Sequence, residues 1–266
     1  MKPLGDVLRR IHLVEPVRPP GYEPPMAPAP SCLICNDAGF LRRNVPLGHP
    51  SFGKLVPCEC KVREQNERRA NELGRMSNLD AFMSHTFEDF DDSVAGVQVA
   101  LQDAKEYADN SDGRWLFLSG GVGTGKTHLA VAIADDMRTQ RPSISILFNV
   151  VPDLLDHLRA TFDPTKGIDY DERFEQIRQA DLLILDDLGT ENTTPWAREK
   201  LFQIFNHRYN QRLPTVVTSN HDIYDIEERV RSRLLDQRLT TTVWLNDAED
   251  YRRPAWLPAP RPRRGR

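Results

Sequence analysis

A lysine and a threonine closing a glycine-rich stretch are suited to holding phosphates, and Gly120-Gly121-Val122-Gly123-Thr124-Gly125-Lys126-Thr127 has the spacing G-x-x-x-x-G-K-[ST]. Gly120, Gly123 and Gly125 let the backbone curl around phosphate oxygens. Lys126 can reach the β and γ oxygens, and the Thr127 hydroxyl can join a Mg²⁺ shell. The motif, with His128 directly after it, predicts ATP or GTP as ligand. A second constellation follows in Asp186-Asp187, two carboxylates at the end of an apolar run. Asp186 would hold the Mg²⁺, directly or through water, and Asp187 would orient or deprotonate the attacking water. A strand-end turn with the carboxylates capping the next segment is the plainer alternative. Asn220, at the tip of a later strand, would sense the γ-phosphate; capping the segment that starts at His221 is its alternative.

The four cysteines, Cys32-x-x-Cys35 and Cys58-x-Cys60, have His49 between the pairs. This spacing predicts a structural zinc site of Cys₄ type, or Cys₃His with His49 replacing one thiolate. Gly39, Gly48 and Gly53 fit the turns of a small unit too poor in apolar residues to fold unaided. Reduced cysteines, or disulfides in a secreted protein, compete with this. No apolar segment follows Met1-Lys2-Pro3-Leu4, so no signal peptide is expected, and the predicted compartment is the cytoplasm, where disulfides are rare.

Elements must place these groups. Trp115 to Ser119 reads as a buried strand entering the phosphate loop, and His128 to Met137 as the helix leaving it, so that backbone N–H groups and the helix dipole face the ligand. Ile144 to Phe148 reads as a strand, Val151 to Phe162 as a helix, and Leu182 to Leu185 as the buried parallel strand that delivers Asp186 and Asp187. Trp196 to Arg212 predicts a long helix, Thr215 to Thr218 a strand ending near Asn220, Ile223 to Leu235 a helix, and Thr241 to Leu245 a last strand.

The loop GGVGTGKTHL, the strand LLILDDLG, the strand end VVTSN and the box ERVRSRL occur in that order between about His85 and Arg253. Together they resemble the DnaC/DnaI-type helicase loaders and the related IstB transposition helpers, within the AAA+ ATPases. The resemblance implies an α/β fold with a five-stranded parallel sheet, helices on both faces, and nucleotide bound at a subunit interface. It gives Arg233, in Ser232-Arg233-Leu234, the place of an arginine that reaches the γ-phosphate held by a neighbouring subunit. A planar, permanently charged guanidinium suits that task. Arg229, one turn earlier, is a second candidate, and a solvated basic face pairing with Glu227 and Glu228 is the alternative for both. Arg252, in Asp250-Tyr251-Arg252, matches the closing element whose arginine serves as a second nucleotide sensor. Phe87 and Phe90 fall in a segment that flanks the adenine pocket in the resembling proteins, though they serve equally as core. Only about 45 residues follow Asn220, too few for a full helical lid. Many AAA+ members carry Glu where Asp187 stands; the shorter side chain implies slow hydrolysis, suited to a switch.

At 266 residues, 39% hydrophobic and 28% charged, with net charge −4, the chain can build one sizeable core and a small satellite. No run approaches transmembrane length, so no membrane partner is expected. The expected organisation is an N-terminal helix (Leu4 to Leu13) and Pro-rich linker over 1–30, a zinc module over 31–60 and a connecting helix over 61–84. The ATPase domain follows over 85–253, then a basic Pro/Arg tail over 254–266. The resemblance then implies a loader that binds and hydrolyses ATP at subunit interfaces, self-associates, grips a replicative DNA helicase through its N-terminal module and admits single-stranded DNA. The zinc module favours this over a transposition helper that binds duplex DNA and a transposase. A nucleotide-dependent adaptor without DNA contact is the third possibility.

Overall fold

The computed structural model describes residues 29–82, 84–160, 170–190, 194–246, 248 and 250–251. Two compact units divide the chain, one ending at Cys58 and one starting at Glu59. The expected helix over Leu4 to Leu13, most of the Pro-rich linker, and the basic tail with Arg252 lie outside the described residues.

Among its described residues the small unit has almost no apolar interior. Strands β1 (Phe40–Arg42) and β2 (Leu55–Pro57) pair antiparallel, with Leu41 opposite Val56. Strands of three residues cannot hold a sheet by themselves. Leu33, Ile34, Leu47 and Leu55 are all exposed, while Cys35 and Cys58 are buried. Hydrogen bonds instead shape the cysteine turns: the Asp37 carboxylate accepts from the backbone N–H of Ser31 and Cys32, and Cys58 N–H donates to Gly39 O.

In the large unit, odd and even positions of each apolar strand face different helices. The strands are β3 (Trp115–Gly120), β4 (Ile146–Val150), β5 (Leu182–Asp186), β6 (Thr215–Ser219) and β7 (Thr240–Leu245). The helices are α1 (Glu59–Gly74), α2 (Gln98–Asp109), α3 (Lys126–Gln140), α4 (Val151–Ala160), α5 (Tyr170–Arg178), α6 (Pro195–Gln211) and α7 (Glu228–Leu234). Trp115, Phe117, Leu147, Leu183, Leu185 and Val217 join one core with residues of α4, α5, α6 and α7. Leu116, Leu118, Phe148, Leu182, Ile184 and Val216 join the other with α2 and α3. A period of two with both faces apolar is the signature of a parallel sheet between helical layers. The order is β4-β5-β6-β3-β7 and every pairing is parallel, as the resemblance implies. The loops after β3, β5 and β6 therefore open at one carboxyl edge, where such sheets bind ligands. Among the described residues no helix is long and apolar enough to cross a membrane.

Local chemistry sets several boundaries. Helix α6 starts where Thr194 caps Ala197 N–H and Pro195 occupies the first turn, and it ends at Arg212 in the left-handed region. The helix expected over Ile223 to Leu235 is broken in two. Asp222 caps a short 3₁₀ turn, Ile223–Asp225, and Glu227 caps α7 by accepting from Val230 N–H, so two starts compete within five residues. The strand expected over Ile144 to Phe148 begins two residues later, because Asp181 accepts from both N–H and hydroxyl of Ser145 and holds that residue out of the ladder.

Arg208 is fully buried on α6. Its Nε donates to Thr215 Oγ1, one terminal nitrogen to the carbonyls of Arg178 and Ala180, and the other to Pro214 O. Burial pushes the guanidinium down to about 9, which still leaves it charged at neutral pH. These four hydrogen bonds tie α6 to the ends of α5, β5 and β6. We predict that Arg208→Ala, which strands these oxygens in the interior, lowers unfolding free energy by about 3 kcal/mol or more, with Arg208→Lys intermediate. The midpoint of urea unfolding, at unchanged slope, measures this.

Candidate functional site

The phosphate loop joins β3 to α3 with Gly125 at the helix cap, φ 88°, a conformation that favours glycine. A Cβ there would also lie 2.7 Å from the Phe90 ring. Lys126 is buried, its ammonium donating to Gly120 O at 3.0 Å, Gly121 O at 2.5 Å and Thr124 Oγ1 at 3.3 Å. Phosphate oxygens could take over these same donors. The first turn of α3 has no side-chain cap, so its N–H groups and dipole favour an anion.

Asp186, at the end of β5, is 5% exposed. It accepts from the Thr127 hydroxyl at 3.0 and 3.1 Å and from the Thr218 hydroxyl at 2.7 Å. Desolvation pushes its carboxyl above the ordinary value; the bonds from Thr218 and Thr127 pull it back, and Asp187 adds a smaller upward push. Asp187 takes the left-handed backbone region, φ 62°, a strained but tolerated state for Asp. Its N–H donates to Thr218 Oγ1 at 3.0 Å, and its carboxylate accepts from the Asn220 amide. Asn220 therefore engages Asp187 directly.

A cavity of about 250 Å³ gathers this chemistry: Gly123 to His128, Asp186, Asp187 and Asn220 line it with Val122, Phe82, His85 and Tyr251. A smaller, more apolar recess of about 160 Å³ adjoins the loop, walled by Phe90, Val94, Val97, His128 and Tyr251. Phe90 is buried and Phe87 packs partly buried against the same core. His128 Nε2 meets Thr86 O at 2.7 Å, and its ring makes edge contacts with His85 and Phe90. The segment ahead of the sheet is thereby fixed to the helix that carries Thr127. Beyond β7 the chain returns to the loop. Tyr251 N–H donates to Gly123 O, and a Cβ at Gly123 would overlap the Asp250 carboxylate.

Arg233 is on α7 and does not line that cavity; its side chain packs against α6. One terminal nitrogen donates to Arg229 O at 2.6 Å and the other to Asn206 Oδ1 at 2.6 Å, over the rings of Phe202 and Tyr209. Arg229 is exposed and pairs with Glu227 and Glu199.

The four cysteine sulfurs, the last on Cys60 at the start of α1, lie within 4.8 Å of one another. Cys32 and Cys58 Sγ are 3.8 Å apart. That is far beyond a disulfide of about 2.05 Å. It matches the edge, about 3.8 Å, of a tetrahedron built on metal–sulfur bonds of about 2.3 Å. His49 is not in the group; its Nδ1 accepts from Ser51 N–H.

Thr218 escaped the sequence reading, although a polar residue ending an apolar strand beside Asn220 was the available signal. We predict that Thr218→Val, which keeps shape but removes the hydroxyl from Asp186 and Asp187 N–H, costs about 2–3 kcal/mol of stability. Calorimetric unfolding of the two proteins checks it.

Residues 50–244 match the family model described as IstB-like ATP binding protein. The replicative helicase loader DnaC of Buchnera aphidicola subsp. Schizaphis graminum is 29% identical over 184 residues, covering 68% of this chain and 74% of that protein. The replicative helicase loader DnaI of Bacillus subtilis is 26% identical over 204 residues, covering 71% of this chain and 64% of that one. A crystal structure of the DnaC helicase loader superposes with TM-score 0.54 at 24% identity, over 60% of this chain and 96% of that one, a likeness of fold. With the phosphate loop between β3 and α3 and the acidic pair ending β5 inside the matched span, this chain belongs to the family of IstB-like ATP-binding proteins.

Proposed function

We propose that this chain is an ATP-hydrolysing helicase loader of the cytoplasm. The ATPase half of the reading is supported by one observation: Lys126, Thr127, Asp186, Asp187 and Asn220 line a single cavity at the sheet's carboxyl edge. The partner half rests on relatives named replicative helicase loaders that match 68% of this chain or more.

The residues fit the groups the family implies. Asp186 is a buried carboxylate whose ionised form desolvation disfavours, with a hydroxyl beside it, a donor set that suits a hard divalent cation. When bound, Mg²⁺-ATP supplies the reactive phosphoryl group and the metal charge that neutralises it. Lys126 and the N-terminal N–H groups of α3 bind the phosphate chain, with residues 120–128 enclosing it. Thr127 and Asp186 hold the cation. Asp187, oriented by Asn220, holds or deprotonates the attacking water. Phe87 and Phe90 border the base. Arg233 acts on the site of a neighbouring copy, which makes self-association part of the active form, and Arg252 is assigned to a second nucleotide sensor. Cys32, Cys35, Cys58 and Cys60 hold one structural zinc, which gives the coreless N-terminal unit its fold. That unit docks on the helicase, and single-stranded DNA enters beside the ATPase domain, taken as 85–253 between the connecting helix of 61–84 and the tail of 254–266.

The match to IstB-like proteins keeps open the second reading that the sequence resemblance implies, a transposition helper that binds duplex DNA and a transposase. Light-scattering mass of the protein mixed with its own organism's replicative helicase, with ATP analogue, with ADP and without nucleotide, separates the two. A loader gives a nucleotide-sensitive complex that is lost, along with one equivalent of zinc, in Cys58→Ser; absence of a complex in every state selects the transposition helper. Lys126→Ala is expected to abolish nucleotide binding. Arg233→Ala should leave ATP affinity within about twofold and lower hydrolysis by roughly two orders of magnitude or more. Hydrolysis at the parental rate in Arg233→Ala would show that each site is complete without a neighbour.

A further inference from the structure

Arginine side chains reach far but hold direction poorly, and α7, which carries Arg233, has only seven residues. Direction must come from elsewhere. Phe202, Asn206 and Tyr209 are spaced four and three apart on α6, so they share one helix face. Arg233 lies on that face, its guanidinium carbon 4.9 Å from the centre of the Phe202 ring and 5.5 Å from that of Tyr209. Asn206 Oδ1 accepts one terminal N–H and the Arg229 carbonyl accepts the other, both at 2.6 Å. The Nε atom is buried without a partner among the described residues.

Every one of these contacts is neutral. Among the described residues no carboxylate pairs with Arg233, whereas Arg229, four residues earlier and 4.0 Å above the same Phe202 ring, is held by Glu227 and Glu199. The difference matters physically. A carboxylate would fix a guanidinium but cancel its charge, while an amide oxygen and two ring faces fix it and leave the charge to act on an anion outside.

We infer that Asn206 is a positioning residue for Arg233, orienting its guanidinium toward the phosphate of a neighbouring copy without neutralising it. The inference rests on Arg233 serving a neighbour's site. Neutrality at position 206 is as important as hydrogen bonding. Asn206→Ala removes the alignment and keeps the charge; Asn206→Asp keeps the alignment and cancels the charge.

The test is single-turnover ATP hydrolysis by the full chain, at protein concentrations that saturate self-association, for Asn206→Ala, Asn206→Asp, Arg233→Ala and the double variant Asn206→Ala/Arg233→Ala. ATP affinity and thermal unfolding are measured on each. Asn206→Ala is expected to hydrolyse about tenfold slower with ATP affinity unchanged, and Asn206→Asp slower still. In the Arg233→Ala background, Asn206→Ala should change nothing further, a result that a general loss of structure would not give. Parental hydrolysis in Asn206→Ala, or an equal further loss in the Arg233→Ala background, overturns the inference while Arg233 keeps its role. Parental hydrolysis in Arg233→Ala removes the shared-site reading and this inference together.

Discussion

A carboxylate out of water must be given hydrogen bonds or it will not ionise, and the site is organised around that requirement at Asp186. Its two hydroxyl partners come from different elements, Thr127 from the first turn of α3 and Thr218 from the end of β6. Satisfying one charge therefore fixes the phosphate loop, β5 and β6 against one another. Thr218 extends the arrangement, because the oxygen that donates to Asp186 also accepts from Asp187 N–H. The left-handed turn at Asp187 follows, and with it the contact to Asn220. A hydroxyl on the penultimate residue of a strand thus serves both acidic groups.

The opposite edge of the sheet solves a comparable problem with a cation. Arg208 donates to three carbonyls and one hydroxyl, so a full charge lies in the interior with neutral oxygens as its hydrogen-bond partners. Arg233 is handled likewise near the surface, with an amide, a carbonyl and two rings. Surface arginines such as Arg229 and Arg238 are held by carboxylates instead. The chain thus uses neutral clamps where a guanidinium is to be held and keep its field, and ion pairs where charge is merely solvated.

Much of the ATPase core was legible because its strands are continuous apolar runs ending in Gly120, Asp186 and Asn220, and a buried parallel strand announces itself in that way. What stayed hidden has identifiable causes. Helix α2 buries Ala100, Ala104 and Ala108 beside Leu101 and Tyr107, and a stripe of alanines carries little apolar signal. Helix α5 buries Phe174 and Ile177 within a charged sequence. The broken helix after Asn220 reflects competition between two capping acids, a contest that apolar spacing does not register. In the site, Lys126, Thr127, Asp186, Asp187 and Asn220 were named from their motifs, and they do line one cavity with the recognised loop. Thr218, Asn206 and the return of Asp250 to Gly123 were not, since each depends on residues distant in the chain.

The strand order carries a consequence for how the molecule comes into being. β3, which delivers the phosphate loop, has as its sheet neighbours β6 and β7, with Leu116 opposite Val216 and Thr241. As the chain leaves the ribosome, about 100 residues must follow β3 before its first ladder partner emerges, so that strand waits with both edges open while β4 and β5 can already pair. The ladder around the phosphate loop is thus completed only after β6 and β7 have emerged. The phosphate loop is therefore held in its final setting only once strands from a much later part of the chain have joined the sheet.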